Sequence, residues 1–266
     1  MMKKSLLALT AALPLLLTAG PAVATEFGYD EAERQQELLG VWFGIRERNA
    51  QRGDRDAQFD VGMAHYTARG TEQDDAAAAE WFAQAAEQGH ARAHYFLGYL
   101  HATGRGVPVD SEKSGEHYRR AAELGDMDAQ YHLGRDLLAD ESADPAEAAE
   151  WIERAAGQGL ASAQYHWGYL LETGRGVERS VDDAVEWYVL AAEQGNAQAQ
   201  RGLGRLHMAG RGVNRDRVQA WVWYSLGDDG EHVERLESRM SEAELAAARE
   251  SLAEQRTAMR TEAAVR

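Results

Sequence analysis

Small and apolar residues recur along this chain in blocks of about 36 residues. Each block contains a glycine that directly follows an apolar residue, and an alanine lies five residues before that glycine. Positions three to five residues apart fall on one face of an amphipathic helix, which we call helix A. The pattern predicts five tandem units, because self-similarity at this period is typical of helical repeat arrays. The marker glycines are Gly62, Gly98, Gly134, Gly168 and Gly204.

A second pattern begins 19 residues after the marker glycine in four units and 17 residues after it in the third, with a bulky residue followed by an apolar or aromatic one. It predicts a helix B in every unit, with the tryptophan of four units in the core. Four units then continue with paired alanines and close on a glycine, the residue that most readily takes the left-handed conformation ending a helix. The bulky residues are Trp81, His117, Trp151, Trp187 and Trp223, and the closing glycines are Gly89, Gly125, Gly159 and Gly195.

The turn from helix A to helix B reads Gly-Arg-Gly-Val in three units and is two residues shorter in the third unit. There Asp144 and Pro145 provide a capping side chain and a first helical residue. The predicted units are 54–89, 90–125, 126–159, 160–195 and 196–230. Residues 25–53 are predicted to form an N-terminal capping helix, and residues 231–266 capping helices and a tail. In the latter segment Ser241 and Glu244 form a capping box that opens a helix at about Glu242.

Residues 1–24 have the features of a secretory signal peptide. Lys3 and Lys4 precede an apolar stretch, and Ala22-Val23-Ala24 provides small residues for cleavage after Ala24. A membrane anchor is the alternative, but the apolar run is shorter than the roughly 20 residues needed to span a bilayer. We therefore expect a periplasmic or secreted protein that does not span the membrane after cleavage.

The charge balance limits the choice of partner. Cleavage removes two lysines and no acid, so 26 basic residues face 44 acidic ones and the net charge is about −18. A chain this acidic repels nucleic acid, and no nucleic-acid partner is expected. The chain also contains no cysteine, so its stability must come from packing.

Read together, Ala-x-x-x-Leu-Gly, Gly-x-Gly-Val and Trp-Tyr-x-x-Ala-Ala-x-x-Gly strongly resemble the Sel-one-like repeat (SLR) family, a relative of the tetratricopeptide repeats. The likeness covers roughly residues 54 to 230. It implies an all-α fold, an α-solenoid of tandem antiparallel helix pairs in a right-handed superhelix whose A helices line the concave side. It also implies an adaptor role in the bacterial cell envelope, without a shared catalytic residue.

No catalytic, cofactor or metal site is predicted. His90, His94 and His101 have helical spacing, but His101 shares its repeat position with His65 and His207, and such equivalents lie about 10 Å apart, too far for one metal. The sequence lacks a cysteine nucleophile, a Gly-x-Ser-x-Gly motif and a phosphate-binding loop. Some cysteine-rich SLR proteins are linked to weak β-lactam hydrolysis, but the absence of cysteine separates this chain from that branch.

The candidate binding surface lies on the side of helix A opposite its alanine and glycine. Residues two, three and six positions after the repeat alanine face that side, and they are rich in aromatic residues and arginine, which are typical of interaction hot spots. We predict a protein or peptide partner there, with a glycan or cell-wall polymer as the alternative; the aromatic side chains could instead only pack between repeats. The candidates are Phe59, Tyr95, Tyr99, Tyr131, His132, Arg135, Tyr165, His166, Tyr169 and Arg205.

The arginines of the turns form a second candidate surface. Arg69, Arg105, Arg175 and Arg211 each follow the end of a helix A, where the helix dipole favours a positive charge. The sequence favours this structural role over an anionic-polymer site.

Overall fold

The computed structural model describes residues 31–265, so the predicted signal peptide at residues 1–24 lies outside the described residues. The described residues form thirteen α-helices and no strand, which confirms the predicted all-α fold. Helices α2 to α11 are five consecutive A and B pairs. In chain order the helices are α1 (Glu31–Ala50), α2 (Arg55–Thr67), α3 (Asp75–Glu87), α4 (Ala91–Thr103), α5 (Ser111–Glu123), α6 (Met127–Ala139), α7 (Pro145–Gly157), α8 (Ala161–Thr173), α9 (Val181–Glu193), α10 (Ala197–Ala209), α11 (Arg217–Leu226), α12 (Gly230–Glu237) and α13 (Glu242–Val265).

The described residues divide into two compact units. The first extends to Gln88 and includes Arg105–Val107; within it α1 packs on α2, and α2 on α3. The second contains Gly89–Gly104 and everything described from Pro108 onward. Within this second unit each helix from α4 to α11 packs on the next one along the chain, and both α12 and α13 pack on α11.

Capping side chains fix where the helices begin. In nine of the ten repeat helices the N-cap side chain accepts a hydrogen bond from a backbone N–H of the first turn. Six of these caps are aspartates; Asp126, for example, accepts from the N–H of Ala129 at 2.9 Å. Because each such cap stabilises a helix by about 1 kcal/mol, part of the acidic excess has a structural role.

The marker glycine of helix A is the point of closest approach to helix B. A Cβ at Gly134 would lie 2.6 Å from Cγ1 of Ile152 and 2.9 Å from the carbonyl oxygen of Ala148. At the equivalent glycines of the other units a Cβ would come within 2.7 to 3.0 Å of an aromatic ring of helix B. Each marker glycine thus allows helix B to approach where a side chain would collide.

The predicted burial of the tryptophans is wrong for three of the four. Trp223 is 7% exposed, whereas Trp81, Trp151 and Trp187 are only half-buried and pack against the edge of the core. The residue after each tryptophan faces the marker glycine and takes the deeper place. These next residues, Phe82, Ile152 and Tyr188, are at most 1% exposed.

Buried glutamines join successive repeats. The side-chain amide of Gln200 donates at 3.0 Å to the carbonyl of Ala192, near the end of the preceding helix B. Gln130 does the same to Ala122, and its own carbonyl oxygen accepts from Gln158 at 2.8 Å. In α5, α7 and α9 a carbonyl near the helix end thus accepts from a glutamine of the next repeat as well as from the N–H of the closing glycine.

The turn arginines of the second and fourth repeats each contact the repeat before their own. Within the first unit, Arg105 makes two hydrogen bonds of 2.8 and 2.9 Å to the carboxylate of Asp75 and a third to the hydroxyl of Tyr66 at 2.8 Å. In the second unit, Arg175 donates to the backbone carbonyl of Leu138 at 2.7 Å. These contacts support the structural role predicted for the arginines.

After the last repeat the chain continues into α12 and α13. The predicted capping box is present: the Ser241 N–H donates to the Glu244 carboxylate at 2.8 Å, and the Glu244 N–H donates to the Ser241 hydroxyl at 3.3 Å. Among the described residues no helix is both long and apolar enough to cross a bilayer.

Candidate functional site

A cleft of about 600 Å³ opens in the second unit between α8 and α10, the A helices of the fourth and fifth repeats. Its volume is within the range of small-ligand pockets, roughly 300 to 1,000 Å³. Side chains of α11 and of the start of α12 complete the wall. Three of the ten predicted binding residues line it: Tyr165, Tyr169 and Arg205.

A buried carboxylate organises one wall of the cleft. Glu172 is 6% exposed and receives two hydrogen bonds from the guanidinium of Arg205, at 2.8 and 2.6 Å. The hydroxyl of the buried Tyr188 donates to the same carboxylate at 3.0 Å, and Nη1 of Arg211 lies 3.7 Å away. These donors satisfy the carboxylate, and the hydrogen bonds from Arg205 lower the pKa of Glu172 against the opposing effect of burial.

This network fixes the side chains around it. Tyr165 stacks on Tyr188, with ring centroids 5.7 Å apart, so the ring of Tyr165 is held against the floor of the cleft. Arg205 is 49% exposed even though its guanidinium is anchored, which leaves donors on the cleft side. Charge-assisted, bidentate contacts of this type orient a guanidinium and leave it little freedom to rearrange on binding.

The opposite wall carries a second, smaller network. The carboxylate of Asp229 accepts from the backbone N–H of His232, and its Oδ1 lies 3.0 Å from Nδ1 of that imidazole. Burial acts to raise the pKa of Asp229, but the hydrogen bonds from His232 prevail and the pKa is lowered. The ring of His232 stacks on Tyr224, with ring centroids 4.6 Å apart. Both side chains are therefore held in place.

Arg201 is a second cation of the cleft, and its charge contributes to the lowered pKa of Asp229. One of its nitrogens, Nη1, donates to the backbone carbonyl of Gly227 at 3.1 Å. Within the described part of the chain, no carboxylate lies at ion-pairing distance from this guanidinium, in contrast to that of Arg205. Its remaining N–H groups are available to a bound molecule.

The other predicted residues lie outside the cleft. Tyr131 is 9% exposed, and its hydroxyl lies 3.0 Å from Nδ1 of His166 in the next repeat. Arg135 lies over the Tyr131 ring, 5.6 Å from its centroid. These three side chains contact one another at the junction of the third and fourth repeats.

The candidates of the earlier helices pack mainly within their own repeats. Tyr95 meets Tyr118 of its helix B at 5.5 Å between ring centroids, and the exposed His132 lies 6.2 Å from Tyr95. Tyr99, on the same helix as Tyr95, is half-buried. Phe59 belongs to the first unit, where it packs on Phe82 at 5.7 Å. For several of the aromatic residues, packing is thus an observed role, and their part in binding stays a prediction.

Several residues of the cleft were not among the predicted ones. Tyr188 and Tyr224 belong to helix B, which was not part of the predicted surface, while Asp229 and His232 lie at the end of the last repeat and just beyond it. The signal that could have located the cleft is Gly202, because the third position after the repeat alanine carries a side chain in the other four units. Where one repeat lacks the side chain that the others carry at this position, a gap is left between its helix A and the preceding one.

Two histidines of the second repeat are hydrogen-bonded to each other. Nδ1 of His94 lies 3.0 Å from Nδ1 of His117, and the ring centroids are 5.3 Å apart. The distance is that of a hydrogen bond in which one nitrogen carries the hydrogen and the other accepts it. Within residues 31–265 no group of three or more acidic or histidine side chains is arranged to hold a metal ion.

Comparison with known proteins gives matches along most of the chain. The model of the Sel1 repeat matches residues 55–90, 91–126, 128–160, 161–196 and 197–227, together more than half of the sequence. No curated protein matches the chain.

Among solved structures, one similar to this chain is a protective antigen present in uropathogenic Escherichia coli strains, which displays an SLR fold. Its identity is 27% and its TM-score 0.58; the match covers 85% of this chain and 58% of that one, so this chain spans less than two thirds of its length. A Sel1 repeat protein from Oxalobacter formigenes is 26% identical with a TM-score of 0.61, over 74% of this chain and 84% of that one.

Proposed function

The chain belongs to the Sel1 repeat family, and we propose that it acts as a non-catalytic helical scaffold that binds a protein partner through the A-helix surface of its fourth and fifth repeats. In this role the buried glutamines and turn arginines hold the helix pairs in register. The tyrosine and arginine side chains of α8 and α10 then form the contact surface.

The observation that carries the proposal is the cleft between α8 and α10. It combines tyrosine rings with arginines that are already anchored by neighbouring groups, and such residues give large contact area at low entropic cost. Tyr169 at its rim is 44% exposed, a high value for an aromatic side chain on a helix that is otherwise well packed. A partner would cover that ring.

The polar groups of the cleft support binding over catalysis. No serine or cysteine lies among its lining residues, and the hydroxyl of Thr173 donates at 2.8 Å to the backbone carbonyl of Tyr169. The imidazole of His232 is hydrogen-bonded to Asp229 and stacked on the Tyr224 ring, and among residues 31–265 no hydroxyl group is hydrogen-bonded to it. Activation of a nucleophile by a base needs such a bond.

Site-specific photocrosslinking in the native cell tests the proposal. A photoreactive phenylalanine analogue at position 169 should give one dominant adduct, identified by mass spectrometry. Position 190 on helix B of the same repeat is the matched control, because Tyr169 and Leu190 are equally exposed at 44%. The same adducts from both positions, or none from position 169, would rule out a binding surface at the cleft.

We also propose that the protein acts outside the cytoplasm, in the periplasm or after secretion. The support is the signal-like pattern of residues 1–24. Cell fractionation and N-terminal sequencing of the mature protein check this: the expected first residue is Thr25. An N-terminus at Met1 in a cytoplasmic fraction would contradict it.

A further inference from the structure

We propose that the cleft between α8 and α10 is a pocket for a carboxylate side chain, an aspartate or glutamate presented by an extended segment of the partner protein. The inference rests on the proposed scaffold function and specifies the chemistry of the partner. It comes from comparing two junctions of the same repeat array, one that is filled by the chain itself and one that is open.

At the junction of the third and fourth repeats, a side chain of the chain itself fills the space between the A helices. His166 of α8 places Nδ1 3.0 Å from the hydroxyl of Tyr131 on α6. The same nitrogen lies 2.9 Å from the backbone carbonyl of Ser162. The ring of His166 thus occupies the position that a bound polar group could take.

At the next junction the equivalent side chain is missing. Tyr165 has the repeat position of Tyr131, but Gly202 stands where the fourth repeat has His166. Among the described residues, the Tyr165 hydroxyl has no hydrogen-bonding partner, and the cleft opens at this point. The backbone does not demand glycine here, since a Cβ at position 202 would meet the Tyr188 ring at an ordinary 3.6 Å. The space is therefore available for a group that does not belong to the chain.

The charges around the open junction favour an anionic group. Glu172 already faces two guanidinium groups, those of Arg205 and Arg211, and Asp229 is bonded to His232. With Arg201, and counting Arg211, which pairs with Glu172 without lining the cleft, three guanidinium groups lie near two carboxylates. This local surplus contrasts with a formal net charge of −16 for the whole chain. A carboxylate here gains charge-assisted hydrogen bonds, whereas a basic side chain would be repelled by the guanidinium groups of Arg201 and Arg205 that line the cleft.

The aromatic walls of the cleft favour a peptide segment over a free small anion. The rings of Tyr165, Tyr169 and Tyr224 line the cleft, so residues next to the bound carboxylate find apolar faces. A volume of about 600 Å³ holds one acidic side chain together with parts of its neighbours. A free small anion would leave most of this aromatic surface uncovered.

Selection from a displayed library of random nine-residue peptides tests the pocket. The bait is the full chain, and the filled variant is Gly202→His, which should recreate at Tyr165 the contact that His166 makes with Tyr131. Gly115→His is the matched control, because Gly115 lies on an exposed part of α5 with open space around it. Gly202→Ala is a milder second variant in case the histidine disturbs folding, and thermal melts of all variants monitor stability.

We expect peptides retained by the wild type and by Gly115→His to contain aspartate or glutamate at one common position, and Gly202→His to lose them. Changing that acidic residue to its amide should weaken binding by about tenfold, the value of one charge-assisted hydrogen bond. Arg201→Gln should weaken binding of the acidic peptide by a similar factor and leave binding of the amide peptide unchanged. Arg201→Lys should restore part of the affinity for the acidic peptide.

Selected peptides without an acidic preference, equal retention by Gly202→His, or no enrichment over the unselected library would each overturn the pocket. Retention of cell-wall glycan fragments by the wild type, lost in Gly202→His, would also overturn it, since the occupant would then be a sugar. The two proposals can fail separately. If position 169 crosslinks a partner while these peptide selections fail, the binding surface stands and the carboxylate pocket does not.

Discussion

The close contact of α6 with α7 at Gly134 allows a quantitative test of the helix packing. Replacement by alanine adds a Cβ that would lie 2.6 Å from the Ile152 side chain and 2.9 Å from the backbone carbonyl of Ala148. The side chain could rotate, but the carbonyl belongs to helix α7 and can move only with it. Overpacking of this type costs about 3 kcal/mol, and the better helix propensity of alanine returns about 1 kcal/mol. We expect Gly134→Ala to lower the free energy of unfolding by about 2 kcal/mol.

Gly115→Ala is the matched control, since it changes the same atoms on helix α5, where a Cβ meets nothing within 4 Å. It should raise the free energy of unfolding by about 0.5 to 1 kcal/mol through backbone entropy alone. Urea unfolding followed by circular dichroism at 222 nm measures both variants, provided that the slope with urea stays unchanged. A Gly134→Ala protein as stable as the Gly115→Ala protein would refute the close approach of α6 and α7.

Three further predictions concern other parts of the fold. Burial lowers the pKa of His117 to about 4 from an ordinary value of 6.5, so between these pH values the unfolded chain binds more protons and stability falls as the pH drops, by up to about 3 kcal/mol. His117→Gln should therefore lose less stability than the wild type between pH 7 and pH 5 in urea unfolding. An equal loss would show that His117 is not the source of the pH dependence. Gln164→Leu removes the acceptor of Gln194 and the side-chain donor to Ala156, and it should cost about 1 kcal/mol, the net value of a hydrogen bond, since Gln194 keeps the Gly159 carbonyl as an acceptor; an unchanged melting curve would contradict a stabilising role of these glutamines. Arg105→Lys loses the two-pronged contact with Asp75 and should cost about 1 kcal/mol at low salt and less at 1 M salt, whereas a salt-independent loss would point to packing alone.

Much of the fold could be predicted because it depends on residues that are neighbours in sequence. A glycine at the end of helix B has a positive φ, between 78° and 96° in four repeats, and this preference is local. The Ser241 and Glu244 capping box likewise involves residues three apart. The order of A and B helices follows from periodicity, and so does the placement of the marker glycines on the packed face.

Periodicity was insufficient to decide how deeply each residue is buried. Trp81 and Phe82 are adjacent, and neighbours on a helix differ by about 100° in direction, so both fall near one broad apolar stripe. Only the contact with Gly62 of helix A decides that Phe82 takes the inner place. The larger tryptophan is left at the edge, although its size suggested the core.

The candidate site depends even more on tertiary structure. The sequence by itself determined five helix pairs, their caps and a face rich in tyrosine and arginine, because these follow from the period of 3.6 residues and from backbone preferences. Glu172 and Arg205, however, meet across 33 positions of sequence, and Arg201 reaches the backbone at Gly227. Such contacts, and the cleft that opens at Gly202, arise only when neighbouring repeats stack, since the space between two helices depends on the side chains of both.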